Sequence, residues 1–232
     1  MKTRLYKTEQ KMIKLAIFDL DGTVLSTLTT INYFVCRTLK KYGLEPITEE
    51  ECCGFAGNGP KKLLTRSFAY RGVTDEEIVK RAIEDYIADY DSDPFYLTEP
   101  FDGVFEMLRG LKEQGIKIAI VSNKQDSSVK LAAEHFFGDL VDLAFGSREG
   151  VPTKPHPDSV LPVVSHFGVT PDECAFIGDS DVDVLTGINL GCALTVAVTW
   201  GYRSVEVLTE SGAKVFANTV EDIIKIITEF NR

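Results

Sequence analysis

The chain has 232 residues, 44% of them hydrophobic and 26% charged, with 35 Asp and Glu against 25 Lys and Arg and a formal net charge of -10. That composition supports one large domain, or one domain with a smaller insert, and excludes a disordered chain. No basic block offsets the acidity, which argues against nucleic acid or an anionic membrane surface as the main partner and requires local positive charge for any anionic substrate.

Residues 1–13, beginning MKTRLYKTEQ, read as a polar extension without the apolar core of a signal peptide. No later apolar run reaches the roughly 18 residues of a membrane span. Cys36, Cys52, Cys53, Cys174 and Cys192 form no C-x-x-C pair and leave one over. Reduced thiols and a cytoplasmic location are therefore expected.

The first strand is expected in LAIFDL, starting at Leu15. Residues 29–95 then read as helices only. Ile31, Phe34, Val35, Leu39 and Tyr42 form one stripe, and Thr48-x-x-Glu51 and Thr74-x-x-Glu77 have the spacing of capping boxes. The second box opens a stripe of Ile78, Ala82, Ile83, Tyr86, Ile87 and Tyr90. Between them, Gly57-Asn58-Gly59-Pro60 reads as a turn feeding a helix with Pro60 at its first position.

From residue 96 the pattern changes to alternating strands and helices. Ile116 to Asn123, Asp142 to Gly146, Cys174 to Ser180 and Cys192 to Gly201 are apolar on both faces, as in a sheet covered on both sides. The expected fold class is α/β, a doubly wound parallel sheet formed by 14–28 and 96–232, with an all-helical insert at 29–95 over the carboxyl ends of the strands.

The polar residues fall where those strands end. Asp19 and Asp21, Ser122 and Asn123, and Asp179 with Asp183 converge on one sheet edge, joined by Lys154 from the loop VPTKPHPD. Taken singly, Ser122-Asn123 reads as a strand-to-helix cap and Lys154 as a solvated loop lysine; their place in the series lifts them. Two carboxylates pointed at one edge repel each other unless a cation lies between them, and oxygen donors of this kind suit Mg²⁺.

DLDGT at Asp19 to Thr23, SN at Ser122 and Asn123, KP at Lys154 and Pro155, and GDSDVD from Gly178 to Asp183 resemble, in order and spacing, the four motifs of the haloacid dehalogenase-like hydrolases. The resemblance runs from about Lys14 to the end and implies that the helical insert is a cap. It is nearest to phosphoglycolate phosphatases, through GNGPKKLL, KPHPD and TWGYR. It implies Asp19 as nucleophile and Asp21 as general acid and base. Mg²⁺ would be held by Asp19, the Asp21 backbone carbonyl, Asp179 and Asp183. Lys154 would offset the remaining charge, while Ser122 and Asn123 would donate to phosphoryl oxygens. Gly22 would let the chain turn closely beneath the phosphate, with Thr23 in the same substrate-binding turn.

Substrate choice would lie in the cap. The turn of Gly57, Asn58 and Gly59 at a helix start is expected to read a carboxylate such as that of glycolate. The expected partner is a small phosphorylated metabolite, with monomer and homodimer both open. The second acid, Asp21, argues against dehalogenation, and Ile31 stands where sugar phosphomutases carry a histidine. A pyrophosphatase, a broad nucleotide or sugar phosphatase and a non-catalytic phosphate-binding module remain alternatives.

Overall fold

The computed structural model describes residues 11–232, so most of the expected N-terminal extension lies outside the described residues. The first strand, β1 (Leu15–Phe18), is buried along its whole length. Ala16 and Phe18 enter one buried cluster with Met107, Leu108 and Ile120, whereas Leu15 and Ile17 enter another with Val121, Val163 and Phe176. Alternate side chains thus feed two cores, so the strand shows no polar alternation.

A short strand, β2 (Leu25–Ser26), leads into four helices: α1 (Leu28–Lys41), α2 (Glu49–Phe55), α3 (Gly59–Tyr70) and α4 (Glu76–Ser92). They bury a cluster of their own, including Phe34, Leu39, Leu64, Phe68, Ala82 and Tyr86. The chain returns through β3 (Glu99–Pro100), which pairs antiparallel with β2 to form a two-strand ribbon. Thr48 and Glu51 form the expected capping box. The second expected box is corrected: α4 opens at Glu76, so Asp75 rather than Thr74 is the N-cap and accepts from the Ile78 N–H at 2.9 Å. Pro60 is the second residue of α3, since the helix opens at Gly59 after Asn58.

The remaining elements alternate: α5 (Val104–Glu113), β4 (Lys117–Gln125), α6 (Asp126–Phe137), β5 (Leu143–Ser147), α7 (Leu161–Phe167), β6 (Cys174–Gly178), α8 (Asp181–Leu190), β7 (Leu194–Val198), α9 (Val205–Glu210), β8 (Val215–Ala217) and α10 (Val220–Phe230). The six-stranded sheet has the order β5-β4-β1-β6-β7-β8, and every pairing in it is parallel. Residues of α5, α6 and α10 cover one face, and residues of α7 and α8 the other. The fold is therefore α/β with a helical cap, as expected. Strand β8 and the β2–β3 ribbon were not expected; segments of two or three residues carry no readable period. No described helix is long and apolar enough to cross a membrane.

Candidate active site

Strand order reverses direction between β1 and β6, and in open parallel sheets the crevice beyond such a switch point receives the ligand. The pairing of Phe18 with Ile177 continues one step further, with the Asp19 N–H donating to the Ile177 carbonyl at 2.9 Å. Asp19 and Asp179 consequently leave adjacent strands side by side. Asp183 joins them from the first turn of α8, and carboxylate oxygens of the three lie within 4.8 Å of one another.

Lys154 closes this cluster. Its Nζ donates to Asp19 Oδ1 and to Asp183 Oδ1, both at 2.7 Å, with only 2% of its side chain exposed. Asn123 clamps the lysine's own peptide, its Oδ1 accepting from the Lys154 N–H at 2.9 Å and its Nδ2 donating to the Lys154 carbonyl at 3.1 Å. Asp183 is fixed from its other oxygen by Ser180, whose hydroxyl donates to Oδ2 at 2.6 Å. Asp179 accepts from the Thr23 hydroxyl at 2.9 Å and from the Tyr202 N–H at 2.7 Å.

One ammonium facing three buried carboxylates leaves an excess of negative charge. Burial, and then the charge of Asp183, push Asp19 up to about 7 despite Lys154. Burial raises Asp179 well above the usual carboxylate range, with Asp183 and Asp19 adding to the shift. Burial works against the charge of Lys154, but Asp183 and Asp19 outweigh it and hold the lysine above its ordinary value. A divalent cation relieves such a cluster, because all the donors are hard oxygens already held in place.

The cavity above the cluster lies between core and cap. Asp19, Asp21, Ser122, Asn123, Lys154 and Asp179 line it from the core, and Gly57 and Gly59 from the cap. Two residues expected to contact substrate do not line this cavity. Thr23 is 1% exposed, does not line the cavity, and spends its hydroxyl on Asp179. Asn58 is also absent from the lining, which its flanking glycines form instead. Gly22 has φ +84°, and a Cβ there would lie 2.5 Å from Asp179 Oδ2, so the glycine makes room for that carboxylate.

Several contributors had no place in the expected site. Lys124 Nζ lies 3.1 Å from Asp21 Oδ1 and donates to the hydroxyl of Tyr90, on cap helix α4, at 2.6 Å. Period-two reading would not have found it, because the register of β4 is irregular between Val121 and Gln125, and Ser122, Asn123, Lys124 and Gln125 all line the cavity. Burial disfavours the Lys124 charge, but Asp21 outweighs it and raises the lysine above its ordinary value. Tyr202 lines the cavity and packs against the cap cluster, while Arg203 donates to the carbonyls of Cys53 and Ala56 at 2.6 and 2.7 Å. TWGYR carries both residues, but nothing in its pattern says that it reaches the cap.

Residues 16–197 match the family model described as haloacid dehalogenase-like hydrolase. The chain belongs to the haloacid dehalogenase-like hydrolases. Among curated members it is 29% identical over 221 residues to "Phosphoglycolate phosphatase 1" of Pseudomonas aeruginosa, covering 92% of this chain and 79% of that one. It is 31% identical over 208 residues to "Phosphoglycolate phosphatase" of Haemophilus influenzae, covering 85% and 91%. A crystal structure from Lactobacillus delbrueckii subsp. bulgaricus, provisionally named as a phosphoglycolate phosphatase, superposes with a TM-score of 0.89 at 31% identity, covering 93% and 98%. This haloacid dehalogenase-like hydrolase is a phosphatase resembling phosphoglycolate phosphatase. Divalent metals are general in the family, and the Asp19, Asp179 and Asp183 cluster fits one.

Proposed function

We propose that the protein is a Mg²⁺-dependent phosphomonoesterase that converts 2-phosphoglycolate to glycolate and phosphate through an aspartyl phosphate on Asp19. The observation that carries the reaction type is the pairing of Asp19 with Lys154 beside Asp179 and Asp183, in the lining of a cavity that also holds a second carboxylate, Asp21. The choice of substrate rests on the names of the relatives.

Asp19 attacks phosphorus in line with the ester oxygen and becomes the carrier of the phosphoryl group, which splits one difficult displacement into two. Among the described residues, one hydrogen bond reaches its carboxylate, from Lys154 to Oδ1, which leaves Oδ2 as the nucleophile. Asp21 gives its proton to the leaving glycolate oxygen and afterwards takes one from the water that cleaves the aspartyl phosphate. Lys154 keeps Asp19 oriented and offsets charge on the transferring group; Ser122 and the Asn123 N–H donate to its oxygens. Asp19, Asp179, Asp183 and the Asp21 carbonyl would hold Mg²⁺, which would supply charge neutralisation at the phosphoryl oxygens when bound.

In this reading residues 29–95 are the cap, 14–28 and 96–232 the core, and the enzyme works in a reducing, cytoplasmic setting. A mutase reading is disfavoured by Ile31, which lines the cavity as a hydrocarbon and can move no proton. The test is phosphate release, with and without chelator, from phosphoglycolate, pyrophosphate, nucleoside monophosphates and β-glucose 1-phosphate. Phosphoglycolate is expected to have the highest kcat/KM and Asp19→Asn to release no phosphate. Equal rates in wild type and Asp19→Asn would remove Asp19 as nucleophile; a higher kcat/KM for another ester would replace the substrate.

A further inference from the structure

The cavity receives two ammonium groups, and they are used differently. Lys154 sits beneath the phosphoryl site with both neighbouring carboxylates on its Nζ. Lys124 stands on the leaving-group side, beside Asp21, with its side chain 15% exposed. An ammonium has three N–H donors. Among the described residues, Lys124 spends one on Asp21 and one on the Tyr90 hydroxyl, which leaves a third for a ligand in the cavity that it lines.

We infer that Lys124 is the residue that selects substrates bearing a second anion close to the ester oxygen, a carboxylate one carbon away being the best fit. This deepens the proposed function and rests on its assignment of Asp21 as the acid. The acid must stand within hydrogen-bond reach of the leaving oxygen. Lys124 Nζ is 3.1 Å from that acid's Oδ1, so an anion on the carbon next to the leaving oxygen falls within reach of the same ammonium. An anion several carbons further along would have to fold back to reach it.

The surroundings favour this assignment over the turn at the start of α3. Gly57 presents its carbonyl to Asn123 Nδ2 at 3.4 Å, and Gly59 lies against the Asn123 carbonyl, so the turn packs on the core and shapes the cavity. Tyr90 holds Lys124 from the cap, with the Nζ 4.5 Å from its ring centre. Asp91, the other carboxylate on that wall, accepts from Ser128 Oγ at 3.3 Å. Lys124 therefore joins core and cap at the point where the substrate's acid group would lie, and a group that meets Lys124 also lies beside Tyr90 of the cap.

The experiment compares kcat/KM for phosphoglycolate with that for 2-hydroxyethyl phosphate, which has a neutral hydroxymethyl group in place of the carboxylate, and for 3-phosphoglycerate with glycerol 3-phosphate. The proteins are wild type, Lys124→Met, Lys124→Arg and Tyr90→Phe, each checked for a cooperative thermal transition with Mg²⁺ present. Using ratios within each protein cancels any change that the substitution makes to Asp21 itself. Wild type is expected to prefer phosphoglycolate at least tenfold, about 1.4 kcal/mol, over its neutral counterpart. The preference should shrink to within about threefold in Lys124→Met, survive in part in Lys124→Arg, and weaken in Tyr90→Phe, which keeps the charge and loses its tether. A preference unchanged in Lys124→Met would overturn the inference while leaving phosphoglycolate as substrate. A Lys124-dependent preference for 3-phosphoglycerate as the better acid would overturn the phosphoglycolate reading and keep Lys124 as the anion reader. No preference for either acid in wild type would overturn the inference, as would failure of Lys124→Met and Tyr90→Phe both to alter the ratios.

Discussion

Lys154 Nζ lies 2.7 Å from Asp19 Oδ1 while the same nitrogen, also at 2.7 Å, holds Asp183 Oδ1. A single buried ammonium thus sets the position of the proposed nucleophile against a carboxylate on a different element. Removing one partner of a buried ion pair costs about 3–5 kcal/mol, because the charges left behind have lost both water and partner. Lys154→Met is expected to lower the metal-free melting temperature and to reduce kcat by at least about a hundredfold, since charge stabilisation at the phosphoryl group is also lost. Calorimetry and steady-state phosphate release measure the two effects. Wild-type kcat in this variant would remove Lys154 from the reaction.

Among the described residues, Thr23 bonds to the site through Asp179, by the 2.9 Å bond from its hydroxyl. Groups that orient a metal ligand typically alter affinity by about 10–100-fold when removed. Thr23→Val should therefore weaken Mg²⁺ binding within that range, with kcat at saturating Mg²⁺ falling much less. Mg²⁺ titration of activity, alongside calorimetric binding, separates the two. An unchanged Mg²⁺ affinity would show that the Tyr202 N–H holds Asp179 by itself.

Asp19 is raised from 3.8 to about 7, mainly by burial and then by Asp183. In metal-free protein the folded state keeps this proton after the unfolded chain has lost it. Stability is therefore expected to fall as pH rises from about 4 to about 7, the slope carrying the sign of fewer protons bound when unfolded. Burial raises Asp179 as well, which adds in the same direction. Mg²⁺ replaces the protons, so its stabilising effect should grow with pH. Melting temperatures at pH 5 and pH 7.5, with and without Mg²⁺, test this; an equal Mg²⁺-induced rise at both would contradict it.

Arg203 donates to the carbonyls of Cys53 and Ala56 at the end of α2, and its neighbour Tyr202 accepts from the Cys53 thiol at 3.0 Å. Hydrogen bonds from a charged donor contribute about 1.5–3 kcal/mol each. Arg203→Met is expected to loosen the cap on the core, raising KM severalfold and quickening proteolysis between core and cap, with a smaller effect on kcat. Limited proteolysis with and without phosphate gives the readout. A digestion pattern identical to wild type would show that Tyr202 alone keeps the cap seated.

Strands β1, β4, β5, β6 and β7 were legible because residues such as Leu15, Ile17 and Phe176 make runs that are apolar on both faces, and glycines close the intervening helices. The core motifs were legible for a related reason. In a parallel sheet all carboxyl ends share one edge, so chain order already implies that Asp19, Ser122 and Asp179 meet. The partner of Thr23 was not legible, because its hydroxyl and a substrate-facing hydroxyl look the same in sequence and only the path of the turn aims it at Asp179. The place of Asn58 was not legible, because the glycines beside it, at φ +98° and +81°, decide which residue lines the cavity.

The sequence by itself determined the sheet, the helical insert and the convergence of Asp19, Asp21, Ser122 and Asp179, because strand polarity and period are local properties of the chain, while Lys154 and Asp183, on a loop and a helix, were legible only through their place in the motif series. The tertiary structure alone decided how core and cap meet: Lys124 against Tyr90, Tyr202 within the cap cluster, and Arg203 on the last carbonyls of α2. Those contacts join residues 34 to 150 positions apart. They depend on how the cap is placed over the sheet edge, and no repeat of hydrophobic residues along the chain encodes that placement.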